Sequence, residues 1–477
     1  MWDIILAIAV LALYIGAIQR RKASRLPPGP PGAFLLGGIY TFDLLGRPTV
    51  VFNSPNSGID LLEKRATNFA TRPAIYMAEL SGWAEAILFV PYGPRLRSYR
   101  KLLYQTLNPR ATLEFHDLQV QEVKKLMKRL LTHPKDFLDH AKLYAGAVSI
   151  RIAYGHTARD FNDEFIQGAE EFMKAVSEAI LPGRWLVEII PSMRYIPSWF
   201  PGATFKRKAE KWARMTTKHR QGPFDYVLKH MVEGTAEPSF TSKLLDPVDG
   251  SQVSESEKEM IKIVASHLYG AGADTTASII QSFFLAMTLY PDVQATAQAE
   301  LDSYLTTKRM LTVADREHLP YTHAIVMESL RWHPVTNIIA RRTKEDEVVG
   351  EYIIPSGTYI IGNLWAMLHN TEIYPEPYAF KPERYLGDEP APDPATYGFG
   401  FGRRVCPGSH IALQSLWLVI SNILVNFDIS KFRTPDGEVI TPTEEYTSGI
   451  LSRPLPFKNS IKARNLASWS MIDEVEI

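Results

Sequence analysis

The only cysteine of this 477-residue chain, Cys406, lies in a glycine-rich loop that reads FGFGRRVCPG from Phe399 to Gly408. An apolar run from Ile411 to Leu424 follows and predicts a helix. A thiolate just before a helix is stabilised by amide N–H groups and the helix dipole, and glycine lets backbone approach a flat cofactor. Arg404 could neutralise a carboxylate of that cofactor. The residues alone leave two hypotheses open, a thiolate ligand and an inert thiol buried in a turn.

Two further groups of residues could do chemistry. Glu328 and Arg331 are three residues apart on one helical face, where they can pair, and Pro334 ends that helix. Residues Gly270 to Thr276 read GAGADTT inside the longest predicted helix. Each glycine costs about 1 kcal/mol in a helix interior, so close packing against small residues of a neighbour is one reason for them.

The elements that must position these residues are mainly helical. The longest helix begins after Ser254, which forms a capping-box pattern with Glu257, and runs to about Leu289 before Pro291 stops it. At 1.5 Å per residue such a helix is roughly 50 Å long, enough to cross the whole domain. It is therefore predicted to be the scaffold of a central site.

Two hairpins of strands are predicted from alternating apolar residues. One covers Ile39 to Asn53 and turns around Gly46. The other covers Val348 to Ile361, with its turn at residues 355–357, which read Pro-Ser-Gly.

The loop around the cysteine resembles the haem-binding loop of the cytochrome P-450 superfamily, a family of haem-thiolate monooxygenases. The family pattern is matched at every position, by Phe399, Gly402, Arg404, Cys406 and Gly408. The resemblance implies haem b with Cys406 as the axial ligand. It also implies the cytochrome P-450 fold, mainly α with small β-sheets.

The resemblance assigns roles to the other motifs as well. Glu328 and Arg331 match the family's Glu-x-x-Arg, and Arg384 of the Pro382-Glu383-Arg384 segment supplies the arginine that locks it. These three are implied to form a buried structural network behind the haem. Asp274 and Thr275 match the acid and threonine that pass protons to iron-bound oxygen in a distorted part of the long helix.

The haem carboxylates are expected to be held by Arg100, Arg404 and Arg341. The chain departs from the family here, because Leu96 stands where a tryptophan donor is usual. A second departure is larger. The amphipathic helix expected between the proline-rich spacer and the first strands is absent, since Gly37-Gly38 runs straight into Ile39.

The composition excludes some classes of partner and compartment. The 52 basic and 52 acidic residues cancel, so no global charge favours nucleic acid. A single cysteine rules out an internal disulfide framework, and the sequence has no Asn-x-Ser/Thr sequon. Both features suit a reducing, cytosol-facing compartment.

The N-terminus predicts a membrane anchor. Residues 4–18 carry no charge, and Gln19, Arg20, Arg21 and Lys22 follow. A cleaved secretory signal is the alternative, but it would place basic residues before the apolar run. The positive-inside rule then leaves the rest in the cytosol, and we expect a single-pass protein of the endoplasmic reticulum. The predicted organisation is an anchor over 1–19, a basic and proline-rich spacer over 20–38, a monooxygenase domain over 39–466 and a tail over 467–477.

The implied reaction inserts one atom of O₂ into a lipophilic small molecule, because a thiolate ligand favours O–O cleavage on haem iron. No flavin or iron–sulfur motif is visible, so electrons must come from a partner, which the resemblance implies is an NADPH cytochrome reductase. Candidate basic residues for its docking are Arg95, Arg97, Lys101, Lys124, Lys125, Lys128, Arg129 and Arg403.

The substrate is predicted from apolar segments and from the wording of the motifs. The predicted lining segments are 77–89, 265–273, 335–339 and 449–451, and the predicted apolar lid comprises Ile180, Leu181, Trp185, Leu186, Trp199 and Phe200. The motifs resemble those of membrane-anchored fungal members of secondary metabolism, which suggests a terpenoid or polyketide intermediate. Two alternatives stay open, a haem-thiolate isomerase or dehydratase and a non-catalytic haem-binding membrane protein. The Asp274 and Thr275 pair argues against the first, since such enzymes need no proton delivery.

Overall fold

The computed structural model describes residues 39–44, 47–181, 183–247, 250–307, 309–350 and 352–464. Helices make up most of these residues, and short strands form small sheets. The predicted mainly helical domain is therefore confirmed. The predicted anchor, spacer and tail, and the place of the missing amphipathic helix, lie outside the described residues.

The α-helices of the described chain are α1 (Pro55–Gly58), α2 (Ala66–Phe69), α3 (Tyr76–Leu80), α4 (Pro94–Leu107), α5 (His116–Thr132), α6 (Phe137–Tyr154), α7 (Glu164–Ala179), α8 (Leu186–Ile189), α9 (Thr204–Val232), α10 (Phe240–Leu245), α11 (Glu255–Leu289), α12 (Pro291–Tyr304), α13 (Pro320–Trp332), α14 (Leu364–Leu368), α15 (Ala395–Gly398) and α16 (Ser409–Asn426). Short 3₁₀ helices cover Ala111–Phe115, Pro134–Asp136, Pro191–Tyr195, Val313–His318, Pro382–Tyr385 and Gly402–Arg404, and Ile59–Lys64 is π-helical.

The strands are β1 (Ile39–Leu44), β2 (Arg47–Phe52), β3 (Ile338–Arg342), β4 (Glu347–Val349), β5 (Tyr352–Ile354), β6 (Tyr359–Asn363), β7 (Phe427–Arg433), β8 (Val439–Ile440) and β9 (Asn459–Ala463). They form a four-stranded sheet in the order β1-β2-β6-β3, a β4-β5 pair and a sheet in the order β8-β7-β9.

The first predicted hairpin is confirmed and the second is partly wrong. Strands β1 and β2 pair antiparallel with Leu44 opposite Arg47. Strand β5 pairs with β4, with Val349 opposite Tyr352, so the hairpin turn falls before residues 355–357. Strand β6 pairs instead with β2 and β3. The partner β2 is distant in sequence, and local alternation does not report which distant strand a segment will join.

Helix α11 has the predicted start and end. The Ser254 hydroxyl accepts the N–H of Glu257, and the Glu257 carboxylate accepts the N–H of Ser254 at 2.9 Å, which completes the capping box. The helix runs for 35 residues and packs against α6, α7 and α16. It therefore crosses the interior and can carry a central site, as predicted.

Helix α16, which follows the Cys406 loop, belongs to the largest buried core. Its Leu416, Trp417 and Ile420 pack in one apolar cluster with Phe283 and Phe284 of α11. Within the described ranges, α16 is the one helix long and apolar enough to cross a membrane, and 72% of it is buried in the protein. Its apolar character is therefore explained by its place in the core.

Candidate active site

The loop around Cys406 closes on itself before α16 begins. The N–H of Cys406 donates to the carbonyl of Phe399 at 2.9 Å. Helix α16 begins at Ser409, with Gly408 as its N-cap residue. The cysteine therefore stands at the N-terminal end of a helix, as predicted, where the helix dipole favours an anionic sulfur.

Glycine at 402 has a steric reason within the protein. The φ of Gly402 is +57°, and a Cβ there would lie 2.0 Å from the carbonyl oxygen of Leu62. A Cβ at Gly408 would make ordinary contacts, with the Ile411 side chain at 3.8 Å and the Cys406 sulfur at 4.0 Å. The predicted roles of Phe399, Gly402 and Gly408 towards a cofactor stay predictions.

The thiol of Cys406 is partly buried beside a positive charge. Burial raises its pKa, while the N–H of Gly408 and the charge of Arg100 oppose the rise. Metal coordination deprotonates a thiol outright, so the protein alone does not have to supply the thiolate.

Four arginines, Arg72, Arg100, Arg341 and Arg404, form a cationic cluster next to this loop. Burial, together with the charges of Arg72 and Arg100, lowers the pKa of Arg404 to about 9. Burial and the charges of Arg72 and Arg404 hold the pKa of Arg341 well below its ordinary range. No carboxylate of the described residues contributes to the pKa of any of the four. A buried positive cluster of this kind fits a ligand that brings its own carboxylates.

The arginines differ in how many hydrogen bonds their guanidinium groups already donate to the protein. Arg404 donates to the carbonyls of Ala70 at 2.9 Å and Val90 at 2.5 Å, so it connects the cysteine loop to the 70–90 segment. Arg100 donates to the carbonyl of Val405 at 2.9 Å. The Nε of Arg72 is buried without a hydrogen-bond partner.

Arg72 was not among the arginines predicted from the sequence to hold the haem carboxylates. The N–H of Arg342 donates to the carbonyl of Thr71 at 2.7 Å, and this contact places Arg72 beside strand β3, which carries Arg341. The contact joins distant parts of the chain, and no local spacing signals it.

The middle of α11 is accessible although the rest of its length is largely buried. Ala271 is exposed, and Asp274 and Thr275 are partly exposed, whereas the helix is buried on either side at Gly270 and Thr276. The Thr275 hydroxyl donates to the Ala271 carbonyl at 2.8 Å. An accessible stretch within an interior helix indicates an open space beside it, where a cofactor or substrate can lie.

The glycines of α11 have a packing explanation. A Cβ at Gly272 would lie 2.5 Å from the hydroxyl oxygen of Ser149 on α6. Close helix packing, the reason given from the sequence, therefore accounts for Gly272. The distortion expected from the family resemblance is not observed, because α11 is α-helical without a break from Glu255 to Leu289.

Asp274 is held by an arginine that the sequence did not single out. Arg453, in the segment before β9, lies 3.3 Å from the Asp274 carboxylate. Burial raises the pKa of Asp274, while the charge of Arg453 opposes the rise. The carboxyl group is therefore a proton donor nearer to neutral pH than an exposed aspartate.

Glu328, Arg331 and Arg384 form the predicted network. Two nitrogens of Arg331 donate to the Glu328 carboxylate, each at 2.8 Å, and the Nε of Arg384 donates to it at 3.2 Å. Both members of the first pair are fully buried. Lys381 and Tyr385 supply two further hydrogen bonds to the same carboxylate, which satisfies the buried charge.

Contacts bring three of the four predicted substrate segments together. Met77 and Trp83 pack with Phe172 of α7 and Trp212 of α9 in one apolar cluster, against which Ile450 also packs. The N–H of Ser452 donates to the carbonyl of Val335 at 2.7 Å, so segments 335–339 and 449–451 are neighbours. Leu96 is buried in another apolar cluster, which agrees with the predicted loss of a donor there.

These features fit haem. The described residues provide a sulfur ligand at a helix end, a cationic cluster for two carboxylates and an accessible helix face. The sulfur and the cationic cluster belong to one site, because the charge of Arg100 lowers the pKa of both Cys406 and Arg404.

Comparison with known proteins agrees with this site. A family model described as Cytochrome P450 matches residues 35–460. Cytochrome P450 monooxygenase 208 of Postia placenta is 36% identical, with 96% of this chain and 94% of the relative covered. Cytochrome P450 monooxygenase COX2 of Coprinopsis cinerea is 34% identical, with 98% and 94% covered. A zebra fish cytochrome P450 solved with abiraterone matches with a TM-score of 0.68 and 22% identity, over 90% of this chain and 96% of that one, which shows the fold.

Proposed function

This chain belongs to the cytochrome P450 family as a haem-thiolate monooxygenase, and from that premise we propose that it oxidises a lipophilic intermediate of secondary metabolism, such as a terpenoid. The accessible middle of α11, with Asp274 and Thr275 on it, is the observation that carries the proposed catalytic roles.

Cys406 would hold the haem iron through its sulfur, because the family requires a cysteine and the chain has only this one. Haem bound through a thiolate supplies the oxidising chemistry, since electron density from sulfur favours O–O cleavage. Around it, Arg72, Arg100 and Arg341 would hold the two propionate groups. Arg404 contributes charge, although the backbone carbonyls of the 70–90 segment already engage its guanidinium.

Thr275 and Asp274 control the protons. The Thr275 hydroxyl donates to the Ala271 carbonyl, which leaves its oxygen lone pairs free to accept a hydrogen bond from the accessible side. Rotation about χ1 would let the same hydroxyl donate into the accessible space beside α11 instead. Asp274, whose raised pKa keeps a larger share protonated, restores the proton through water.

Exposed apolar side chains favour both proposals, a lipophilic substrate and contact with a membrane. Leu186, Ile190, Trp199 and Phe200 are exposed within one stretch of the chain, with Trp199 78% exposed. A patch of this kind marks contact with a membrane or another apolar partner. The predicted lid is therefore divided, because Ile180 is 8% exposed and belongs to the core, whereas Leu186, Trp199 and Phe200 are exposed.

The same patch supports the proposed membrane location. We infer that residues 1–19 anchor the protein in the endoplasmic reticulum, that 20–38 are a spacer, and that 39–466 form the catalytic domain on the cytosolic side, followed by a tail over 467–477. The exposed apolar side chains would then face the bilayer to which the anchor tethers the domain.

An NADPH cytochrome reductase is the proposed electron donor. Arg97, Lys101 and Arg403 are exposed near the cysteine loop and suit an acidic partner. Arg129 is 6% exposed, so its predicted place in this surface is wrong. Its charge is enclosed because α5 packs it against the interior, which helical spacing alone did not reveal.

The test replaces Thr275 and Asp274 separately in the holoenzyme with its reductase. Thr275→Ala should keep the thiolate spectrum but divert oxygen to hydrogen peroxide, so product per NADPH falls by about 10²-fold, the usual contribution of a positioned proton transfer. Asp274→Asn should instead slow NADPH consumption. Measurement of NADPH, peroxide and product together separates the two effects.

Thr288→Ala is the matched control. Its hydroxyl also donates to the carbonyl four residues earlier on α11, at 2.7 Å, but the side chain is buried away from the accessible stretch. If Thr275→Ala forms as much product per NADPH as Thr288→Ala does, the proposed role of Thr275 is wrong.

A further inference from the structure

A narrow cavity lies between α6, α7 and α11. Its volume is about 40 Å³, and one water needs at least about 10–15 Å³, so the cavity has room for water. Its lining is mainly apolar, but Lys142, Glu170 and Asp274 also line it and can supply the polar partners that a buried water needs.

Asp274 is one of the residues that line the cavity. Its side chain is partly exposed, and Arg453 contacts its carboxylate from the C-terminal segment. Ala273 lines the cavity next to it. Asp274 therefore lies both on the accessible stretch of α11 and on the wall of this cavity.

A pair of charged residues that meet solvent also lines the cavity. Lys142 of α6 and Glu170 of α7 both line the cavity, with 3.6 Å between the Lys142 Nζ and a Glu170 carboxylate oxygen. Their side chains are 27% and 25% exposed, so both also meet solvent. Lys174 lies 3.1 Å from the same carboxylate on its outer side.

The charges of Glu170, Lys142 and Lys174 affect the pKa of Asp274. The charge of Glu170 raises the pKa of Asp274, and the charges of Lys142 and Lys174 lower it, although burial is the main cause of its shift and Arg453 is the nearest opposing charge. Groups on α6, α7 and the C-terminal segment thus all act on one carboxylate.

We propose that this cavity is a water-filled proton route and that Glu170 is its entry residue, which collects protons from solvent and passes them towards Asp274. The inference rests on the proposed role of Asp274 and adds the source of the protons that Asp274 receives. Glu170 is a positioning residue for the reaction, since it touches neither substrate nor cofactor.

The protons balance along the route. Asp274 gives its proton to a water or hydroxyl on the accessible side of α11 and becomes a carboxylate. A cavity water protonates it again and takes a proton from Glu170, which takes one from bulk solvent. No electron moves in these steps. Lys142 holds the Glu170 carboxylate at the mouth of the cavity.

A crystal structure of the haem-loaded enzyme tests the route without any turnover. We expect ordered water between Glu170 and Asp274 in the native protein. Ala169 is 4% exposed and lines the cavity, so Ala169→Val should displace that water. A dry cavity in the native enzyme would overturn the proposal.

Kinetics with the reductase tests its use. Glu170→Gln should slow NADPH consumption by about 3- to 10-fold, less than the 10²-fold typical of a direct donor, because solvent can still reach the cavity mouth. Glu171→Gln is the matched control, since Glu171 is the next residue of α7, is exposed and does not line the cavity. Ala175→Val, with the same 4% exposure on α7 but outside the cavity lining, controls for Ala169→Val.

The outcomes separate the two proposals. If Asp274→Asn slows consumption while Glu170→Gln behaves like Glu171→Gln, the cavity route is wrong and the role of Asp274 stands. If Asp274→Asn itself has no effect, both fail. The thiolate spectrum shows whether each variant has folded, and Glu170→Gln keeps the test decisive should Ala169→Val not fold.

Discussion

The buried carboxylate of Glu328 offers the sharpest test of how the fold holds its cofactor. Glu328→Gln keeps the size of the side chain but removes its charge. In the native protein that carboxylate accepts hydrogen bonds from Arg331, Arg384, Tyr385 and the backbone of Lys381. The amide would keep one acceptor oxygen but would turn N–H donors towards Arg331 where the other oxygen now accepts a hydrogen bond from it.

The expected loss is large for a single substitution. Removal of one partner from a buried ion pair costs about 3–5 kcal/mol, because the remaining charge stays buried and unpaired. The free energy of unfolding of a domain is typically about 5–15 kcal/mol. Arg331 retains its hydrogen bonds to the carbonyls of Leu368 and Pro377, so we expect a folded but weakened protein that loses haem readily.

The assay is a denaturant titration followed by the carbon monoxide spectrum of the reduced enzyme, which reports thiolate ligation. Glu255→Gln is the control, because Glu255 also pairs with a lysine, Lys258 at 2.7 Å, but its side chain is 88% exposed. The reasoning is refuted if Glu328→Gln retains haem and shows the same midpoint of denaturation as Glu255→Gln.

Three further outcomes are expected. Cys406→Ala should abolish the thiolate spectrum and all activity, and a variant that kept the spectrum would contradict cysteine ligation, since the chain has no second cysteine. Removal of residues 1–19 should move the protein towards the soluble fraction without changing the haem spectrum, and fractionation with spectroscopy checks both. Arg453→Leu should raise the pKa of Asp274 further, because Arg453 is the main charge that lowers it, so the carboxyl group stays protonated to higher pH. An infrared titration of that carboxyl group measures the change, and a lower pKa would show that the ion pair does not act as described.

The sequence by itself located the loop around Cys406, and the resemblance of that loop to a known family predicted its chemistry. A single cysteine, glycines at fixed spacing and a following apolar helix are all local features, and their positions along the chain are kept in the folded loop. The capping box at Ser254 and the Glu328–Arg331 pair were predictable for the same reason, since each depends on residues three apart on one helix.

Only the tertiary structure decided which distant residues complete the site. Arg72 joins the cationic cluster through the contact between Thr71 and Arg342, and Arg453 reaches Asp274 from the C-terminal segment. The same is true of strand β6, which pairs with β2 rather than forming the predicted hairpin. These contacts depend on how separate elements pack, and residue spacing along a chain carries no measure of that distance.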